Sequence, residues 1–205
     1  METLSATRTE LLARRHRIEF ARHGRSILQD KREQLLAEFR KLADQALASG
    51  SALETAATRA RDALAAAEVA HGAEAIRAMA RARKGTIRLR AVPRSVMGVA
   101  FPEITHERLV RARTERGYSL AGSSAHVDRV ARRFESTLEL VLDAATEELR
   151  LRRIADEIRA TTRRINAVEQ FLIPQLDHEC RTIEAVLDER ERQEQFRLRR
   201  IRRRR

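Results

Sequence analysis

Apolar residues recur with a heptad period along the first seventy positions, and few structures other than a long paired helix can sustain that pattern. With position a on Leu4, Leu11, Ile18, Arg25, Arg32, Phe39, Ala46, Leu53, Ala60 and Ala67, position d falls on Thr7, Arg14, Ala21, Leu28, Leu35, Leu42, Ser49, Ala56, Ala63 and Ala70. Of these 20 positions, 15 are apolar. A globular helix ends after about three or four turns, whereas this register continues through ten heptads, which is coiled-coil behaviour. The seam changes from Leu and Ile to Ala along the arm, so its far end should let a second helix approach more closely.

A second periodic stretch supplies the partner. Leu151, Ile158, Ile165 and Leu172 are seven apart with Ile154 and Val168 between them, and Val127, Phe134 and Val141 take the same step upstream. The phase slips near Pro174, after which Leu176, Ile183 and Leu187 carry the seam. Proline removes one helical hydrogen bond and crowds the preceding turn, so a bend or stutter is expected there. Arms of about 68 and 77 residues would be roughly 100 and 115 Å long. They should form an antiparallel pair with Leu4 near Leu198 and Ala70 near Val127, and with both termini at one tip.

Between the arms the character changes. Four of the seven Gly and two of the three Pro lie between Gly85 and Gly122, and these are the residues that punctuate chains most strongly. Thr86 to Val92 alternates apolar and polar residues, Pro93-Arg94-Ser95 looks like a turn, and Val96 to Phe101 is β-prone, so a short hairpin is expected. Ser123-Ser124 offers an N-cap for the second arm. The expected fold is all-α dominated, a long antiparallel two-helix coiled coil with a small central segment containing a short β-hairpin. It divides into an N-terminal helix over 1–80, a central segment over 81–123 and a C-terminal helix over 124–205.

Composition narrows the function. Aromatic residues make up 3% of the 205, with no Trp, too few for a compact core of this length. One Cys excludes a disulfide scaffold, and no 18-residue apolar run exists to span a membrane. The first residues lack the apolar run of a secretory signal. An intracellular, elongated helical protein is expected. No phosphate-binding glycine loop or metal-binding His pair is present. His16 and His23, seven apart on one helical face, could hold a metal but read first as exposed helix residues, and Cys180 has no adjacent base and reads as a semi-buried helix position, so no catalytic, cofactor or metal residue is assigned.

Charge is the remaining signal. The 42 Lys and Arg against 30 Asp and Glu give a net charge of +12. Residues 1–32 and 181–205 contribute +4 and +5 of it. An antiparallel pair would gather these at one tip. Such a tip fits an acidic or polar socket, or nonspecific phosphate contacts, although the aromatic stacking residues used for single strands are nearly absent. Arg14, Arg25 and Arg32 at seam positions either snorkel from the seam edge or reach a surrounding partner. A nucleic-acid-binding coiled coil and a scaffold or chaperone with a basic tip stay open as alternatives.

Specific segments add a resemblance. Arg163-Arg164-Ile165-Asn166-Ala167-Val168-Glu169, then Ile173-Pro174, then Leu187-Asp188-Glu189-Arg190-Glu191-Arg192 and Phe196-Arg197-Leu198 resemble the C-terminal signature of the D subunits of V-type (archaeal/vacuolar) ATPases and ATP synthases. The run from Ala21 to Arg32 and the stretch Met97-Gly98-Val99 with Pro102 resemble the same family's N-terminal and central segments. The resemblance implies a non-catalytic central rotor shaft, peripheral on the cytoplasmic side and present once per complex, coupling ATP turnover to ion transport. It implies no cofactor and no nucleic acid. It implies head contacts to the A and B subunits through the tip (Leu4, Leu11, Arg14, Arg25, Arg192, Phe196, Arg199, Arg200). It implies contacts to the F subunit and the membrane-side socket subunit, called C or d, through the central segment (Ile87, Leu89, Met97, Val99, Phe101).

Overall fold

The computed structural model describes residues 6–82, 86–118 and 123–202; Leu4, Gly85, Gly122 and Arg203 to Arg205 lie outside them. The helices are α1 (Arg8–His71), α2 (Ala73–Arg81), α3 (Ala125–Ala167) and α4 (Ile173–Arg202), and the strands are β1 (Leu89–Val96) and β2 (Val99–His106). A single 3-10 turn spans Arg113–Glu115, and a π-turn over Val168–Leu172 joins α3 to α4. The starts of α1 and α3 have a local cause. Thr7 Oγ1 accepts the Glu10 amide at 3.2 Å, and Ser124 Oγ accepts the His126 amide at 3.2 Å, so each hydroxyl caps an amide that the helix leaves unpaired. The first arm stops short of residue 80. Gly72 adopts φ 79°, a conformation that breaks the helix and that glycine adopts freely, and α2 starts anew.

Every a and d position from Leu11 to Ala67 is buried or half-buried, and Ala70 is exposed. The chain packs as two units, Met1–Leu36 with Ile158–Arg205 and Ala37–Glu157, so the division runs across the arms and not only along the sequence. In the first unit the two helical segments run antiparallel. Ile18 packs with Leu176 and Cys180, flanked by Leu11. The Arg190 guanidinium donates to the Ala6 carbonyl oxygen at 2.9 Å. Leu198 lies beyond that point and is largely exposed. Cys180 is a seam residue whose thiol is pushed up by burial and by the nearby Glu184 and Asp177 carboxylates.

The irregularity expected near Pro174 is the π-turn. The Ile173 amide bonds the Val168 carbonyl, a five-residue step that inserts one residue relative to an α-helix. Before it the buried positions are Ile154, Thr161 and Ile165; after it they are Leu176, Cys180 and Ile183. A heptad counted from Ile154 and Ile158 would reach 175 and 179, so the seam has moved by one residue, the number the π-turn adds. Leu172, which the unbroken heptad places in the seam, is 43% exposed.

In the second unit α1 and α3 also run antiparallel, and α2 packs against the start of α3. Ala67, Ile76, Val127 and Val130 form the cluster, with Met79 and Tyr118 against it. The partner of Val127 is thus Ala67, one turn before Ala70. Phe134 and Val141, read from sequence as seam residues, are 42% and 40% exposed and face a groove described below.

The hairpin turns elsewhere than expected. The two strands pair Val96 with Val99 and, three rungs on, Pro93 with Pro102, so the turn is Met97-Gly98 and both prolines lie inside strands. Met97 at φ 52° and Gly98 at φ 79° form a type I′ turn, whose twist matches that of the strands. Rungs alternate between bonded and non-bonded pairs. Counting from the turn puts Pro93 and Pro102 at a non-bonded rung, where neither strand requires an amide proton. A two-stranded sheet is all edge, and there proline is tolerated.

Candidate functional site

The segment after β2 runs antiparallel along α3 and is held by a line of acidic side chains. Asp128, Glu135, Glu139 and Asp143 are spaced by seven, four and four residues, one face of a helix. The Arg150 guanidinium lies 5.6 Å from the Phe101 ring centroid, a cation–π distance, and also pairs with Glu38. The Ile104 amide donates to Thr146 Oγ1 at 3.3 Å. The Leu109 and Val110 amides donate to Glu139 Oε1 at 2.8 and 3.3 Å, and the Arg111 amide to Glu135 Oε2 at 3.1 Å. Extended backbone without a neighbouring strand thus finds its acceptors on carboxylates, which form the stronger charge-assisted bonds.

Arg116 anchors the far end. Its side chain is 3% exposed. It grips Glu135 through two bonds of 3.0 and 2.8 Å and reaches Asp128 Oδ1 at 3.3 Å. The Tyr118 hydroxyl donates to Asp128 Oδ1 at 2.8 Å, and Arg113 pairs with Asp128 Oδ2. Burial opposes the charge of Arg116, but the Glu135 carboxylate outweighs it and holds the guanidinium above its ordinary value. Burial and the bond to Asp128 push the Tyr118 hydroxyl up.

At the other end of this line His106 bonds the Glu107 carbonyl at 3.0 Å and lies 3.6 Å from Asp143. These partners raise it above its ordinary value, against a smaller effect of burial. A raised histidine stabilises the fold fully below its unfolded value, about pH 6.5, and loses that contribution as pH rises through the folded value. Amide exchange at Ile104 to His106 should therefore be slower at pH 5.5 than at pH 8 once corrected for intrinsic rates, and His106→Asn should remove the difference.

Beside this network lies a groove of about 640 Å³. Ile76, Met79, Ile87, Leu109, Phe134 and Leu138 line it, with Arg116 and Tyr118 among its walls. Phe134, Leu138, Val141 and Ile87 are all more than a third exposed, an apolar surface of the kind that marks interaction sites.

The residues singled out from sequence divide sharply. Leu11 packs in the seam. Arg14, 12% exposed, bonds Glu10 at 2.9 Å and Glu179 at 2.8 Å, and Arg25 pairs with Glu169 at 3.3 Å. Arg192 lies 3.8 Å from Glu189, and Phe196, Arg199 and Arg200 are exposed on α4. In the middle, Val99 and Phe101 are buried, whereas Leu89 and Met97 are exposed and Ile87 lines the groove. Sequence reasoning does not single out the line of carboxylates on α3. Its trace in the sequence is an acidic stripe among arginines, with no basic residue four positions away on the same face for Glu135, Glu139 or Asp143.

Among the described residues no helix is long and apolar enough to cross a membrane. The profile of the family described as the D subunit of ATP synthase matches residues 10–203. The D subunit of the A-type ATP synthase of Thermococcus kodakarensis is 38% identical over 195 residues, 95% of this chain and 91% of its own length. Its V-type counterpart in Anaeromyxobacter sp. is 40% identical over 210 residues, 100% of this chain and 95% of its own. That of Methanoregula boonei, again A-type, is 33% identical over 201 residues, 98% and 96% of the two chains. With the profile and these relatives spanning nearly the whole paired-helix and hairpin architecture, the chain belongs to the family of A- and V-type ATP synthase D subunits.

Proposed function

We propose that the chain is the non-catalytic central shaft of its complex, a peripheral component present once, turning within the A and B subunits and carrying the F subunit and the membrane-side socket on its middle segment. The observation that supports this most is the set of struts between antiparallel helices in the first unit. Arg8–Glu191, Arg14–Glu179, Arg15–Glu184 and Arg25–Glu169 each join the α1 segment to the other helix. Exposed ion pairs add little stability individually. Placed along a seam they oppose sliding and unwinding, which is what transmission of torque requires. The two helices of the pair are also unlike in sequence, so identical sites around it would meet different surfaces. Each shaft angle then favours one nucleotide state, and each nucleotide state favours one angle.

Because Leu11, Arg14 and Arg25 are occupied within the pair, the tip contacts to the head fall to Arg192, Phe196, Arg199 and Arg200. The groove beside Ile87 and the exposed strand β1 and its turn, with Leu89 and Met97, suit the F subunit and the socket. Val99 and Phe101 are buried on the neighbouring strand β2. Co-expression with A, B and F subunits tests both ends. The whole chain should enter the complex at one copy per head. A chain ending before Gln193 should retain the F subunit and lose much of the coupling between ATP turnover and ion transport. Loss of the F subunit with coupling intact would reverse the assignment of ends.

A further inference from the structure

The hairpin leaves one of its two edges open. β1 is eight residues long, and all but Val96 are exposed, Leu89 and Val92 among them. An open edge is a row of backbone amides and carbonyls with which a further strand can pair. Register decides which residues supply that row. In an antiparallel ladder the residues of a non-bonded rung turn their amides and carbonyls away from the partner strand. Counted from Met97-Gly98, those rungs are Ser95–Ala100, Pro93–Pro102, Ala91–Ile104 and Leu89–His106. A separate observation agrees with the count: the Ile104 amide donates to Thr146 Oγ1 on α3 at 3.3 Å, away from β1. The β2 edge is therefore occupied by α3. The β1 edge, built from Leu89, Ala91, Pro93 and Ser95, has no strand beyond it.

Two features of this edge work against pairing. Pro93 stands in the middle of it. It has no amide proton to give, and its ring lies where the backbone of an incoming strand would come. The hairpin loses nothing by this, because at a non-bonded rung β2 requires no amide from residue 93. The missing group points only outward. The second feature is charge. Residues 86–96 hold three arginines and no Asp or Glu. Arg94 is answered by Glu103 at 2.8 Å, whereas Arg88 and Arg90 have no ion pair among the described residues. Two such strands would meet with like charge unanswered, which disfavours a strand pair. Proline and basic side chains are the residues that keep exposed edges single.

We propose that the open edge of β1 is a surface for a second copy of this chain, held closed by Pro93 and by the arginines beside it. A second copy fits because β1, laid antiparallel on itself about a two-fold axis, offers the same four outward residues from each side. In the register centred on Val92, Ala91 of each copy lies across from Pro93 of the other, and the proline withholds one of the two bonds of that rung. The same register sets Arg90 across from Arg94. This closure is independent of the shaft function and acts on the chain before any complex forms. Without it the exposed hairpin would join copies of the chain to one another.

Pro93→Thr on the whole chain tests this. Threonine suits a strand and restores the outward amide without altering a bond to β2. By sedimentation velocity, P93T should self-associate on the order of tenfold more tightly than the parent, since each copy regains one hydrogen bond. The gain should increase with added salt, which screens the arginines, and again in R90T/P93T. P93A restores the same amide and should follow P93T. As concentration rises, the Leu89 and Ala91 amides of these variants should become protected from exchange. P102T makes the same change at the same rung, on the edge that α3 occupies, and should associate no more than the parent. Association of P93T and P93A at the parent's level, an equal gain in P102T, or association without protection of Leu89 and Ala91 overturns the proposal. So does a parent chain that already protects these two amides at high concentration, a result that depends on no variant.

Discussion

Replacing Arg116 by Met should destabilise the unit formed by residues 37–157 by about 3–5 kcal/mol, the effect of breaking a buried ion pair from one side. The guanidinium is 3% exposed, and Asp128 is 6% exposed. Without Arg116, Glu135 loses its bidentate cation and keeps the Arg111 amide, and Asp128 keeps Arg113 and Tyr118. Glu135, 20% exposed, is left in a partly shielded site, where a carboxylate without its cation is less favourable than in water. Methionine fills much of the volume, so lost packing contributes little. Denaturant unfolding should show an earlier transition for this unit, and amide exchange at Leu109 to Arg111 should quicken because the segment loses its anchor. R116M combined with E135L removes both partners and should recover a substantial part of the loss. An unchanged midpoint with unchanged exchange in R116M would mean that the network does not hold the segment.

The second large effect concerns the π-turn. Deleting Gln170 removes the inserted residue and returns the seam to an unbroken heptad, with Leu176, Cys180 and Ile183 shifted by one into the positions that follow Ile154, Thr161 and Ile165. Hydrophobic pairing is then preserved. The proline, however, now lies in a regular α-helix, where its ring meets the carbonyl four residues back and one hydrogen bond is lost, an effect of about 3 kcal/mol. The deletion alone should therefore destabilise the first unit by about that amount, and adding Pro174→Ala should restore most of it. Pro174→Ala alone should keep the π-turn, because Ile165 on one side and Leu176 on the other pin the register. Unfolding midpoints of the three variants decide this. A deletion variant as stable as the parent would show that proline does not set the π-turn, and one that Pro174→Ala fails to rescue would show that the seam does not tolerate the shift.

The heptad is legible because its cause is local and repeated. From Leu11 to Ala67 each predicted seam position is buried or half-buried, arginines included, since a helix presents every third or fourth residue to the same neighbour. The phase slip at Pro174 is legible for the same reason, although counting does not distinguish a bend from one extra residue. The hairpin is legible as a hairpin, but Pro93 and Pro102 read as its punctuation and stand instead within its strands. Proline breaks a sheet only where its missing amide proton is needed, and that depends on the parity of the rung counted from Met97-Gly98.

Sequence alone determined that two long helices pair through a seam of Leu, Ile and Ala, and its motifs pointed to the family of ATP synthase D subunits, because periodicity and linear motifs need no knowledge of distant partners. Only the tertiary structure decided which arginines are free and which are spent. Arg14, Arg25 and Arg116 look alike in the sequence, yet their carboxylate partners Glu179, Glu169 and Glu135 are set by packing and not by spacing. Tertiary packing also decided that Phe134, Val141 and Leu172 face outward. A side chain's exposure is set by what packs over it, and in this chain that is a segment returning along α3 in one unit and a single inserted residue in the other.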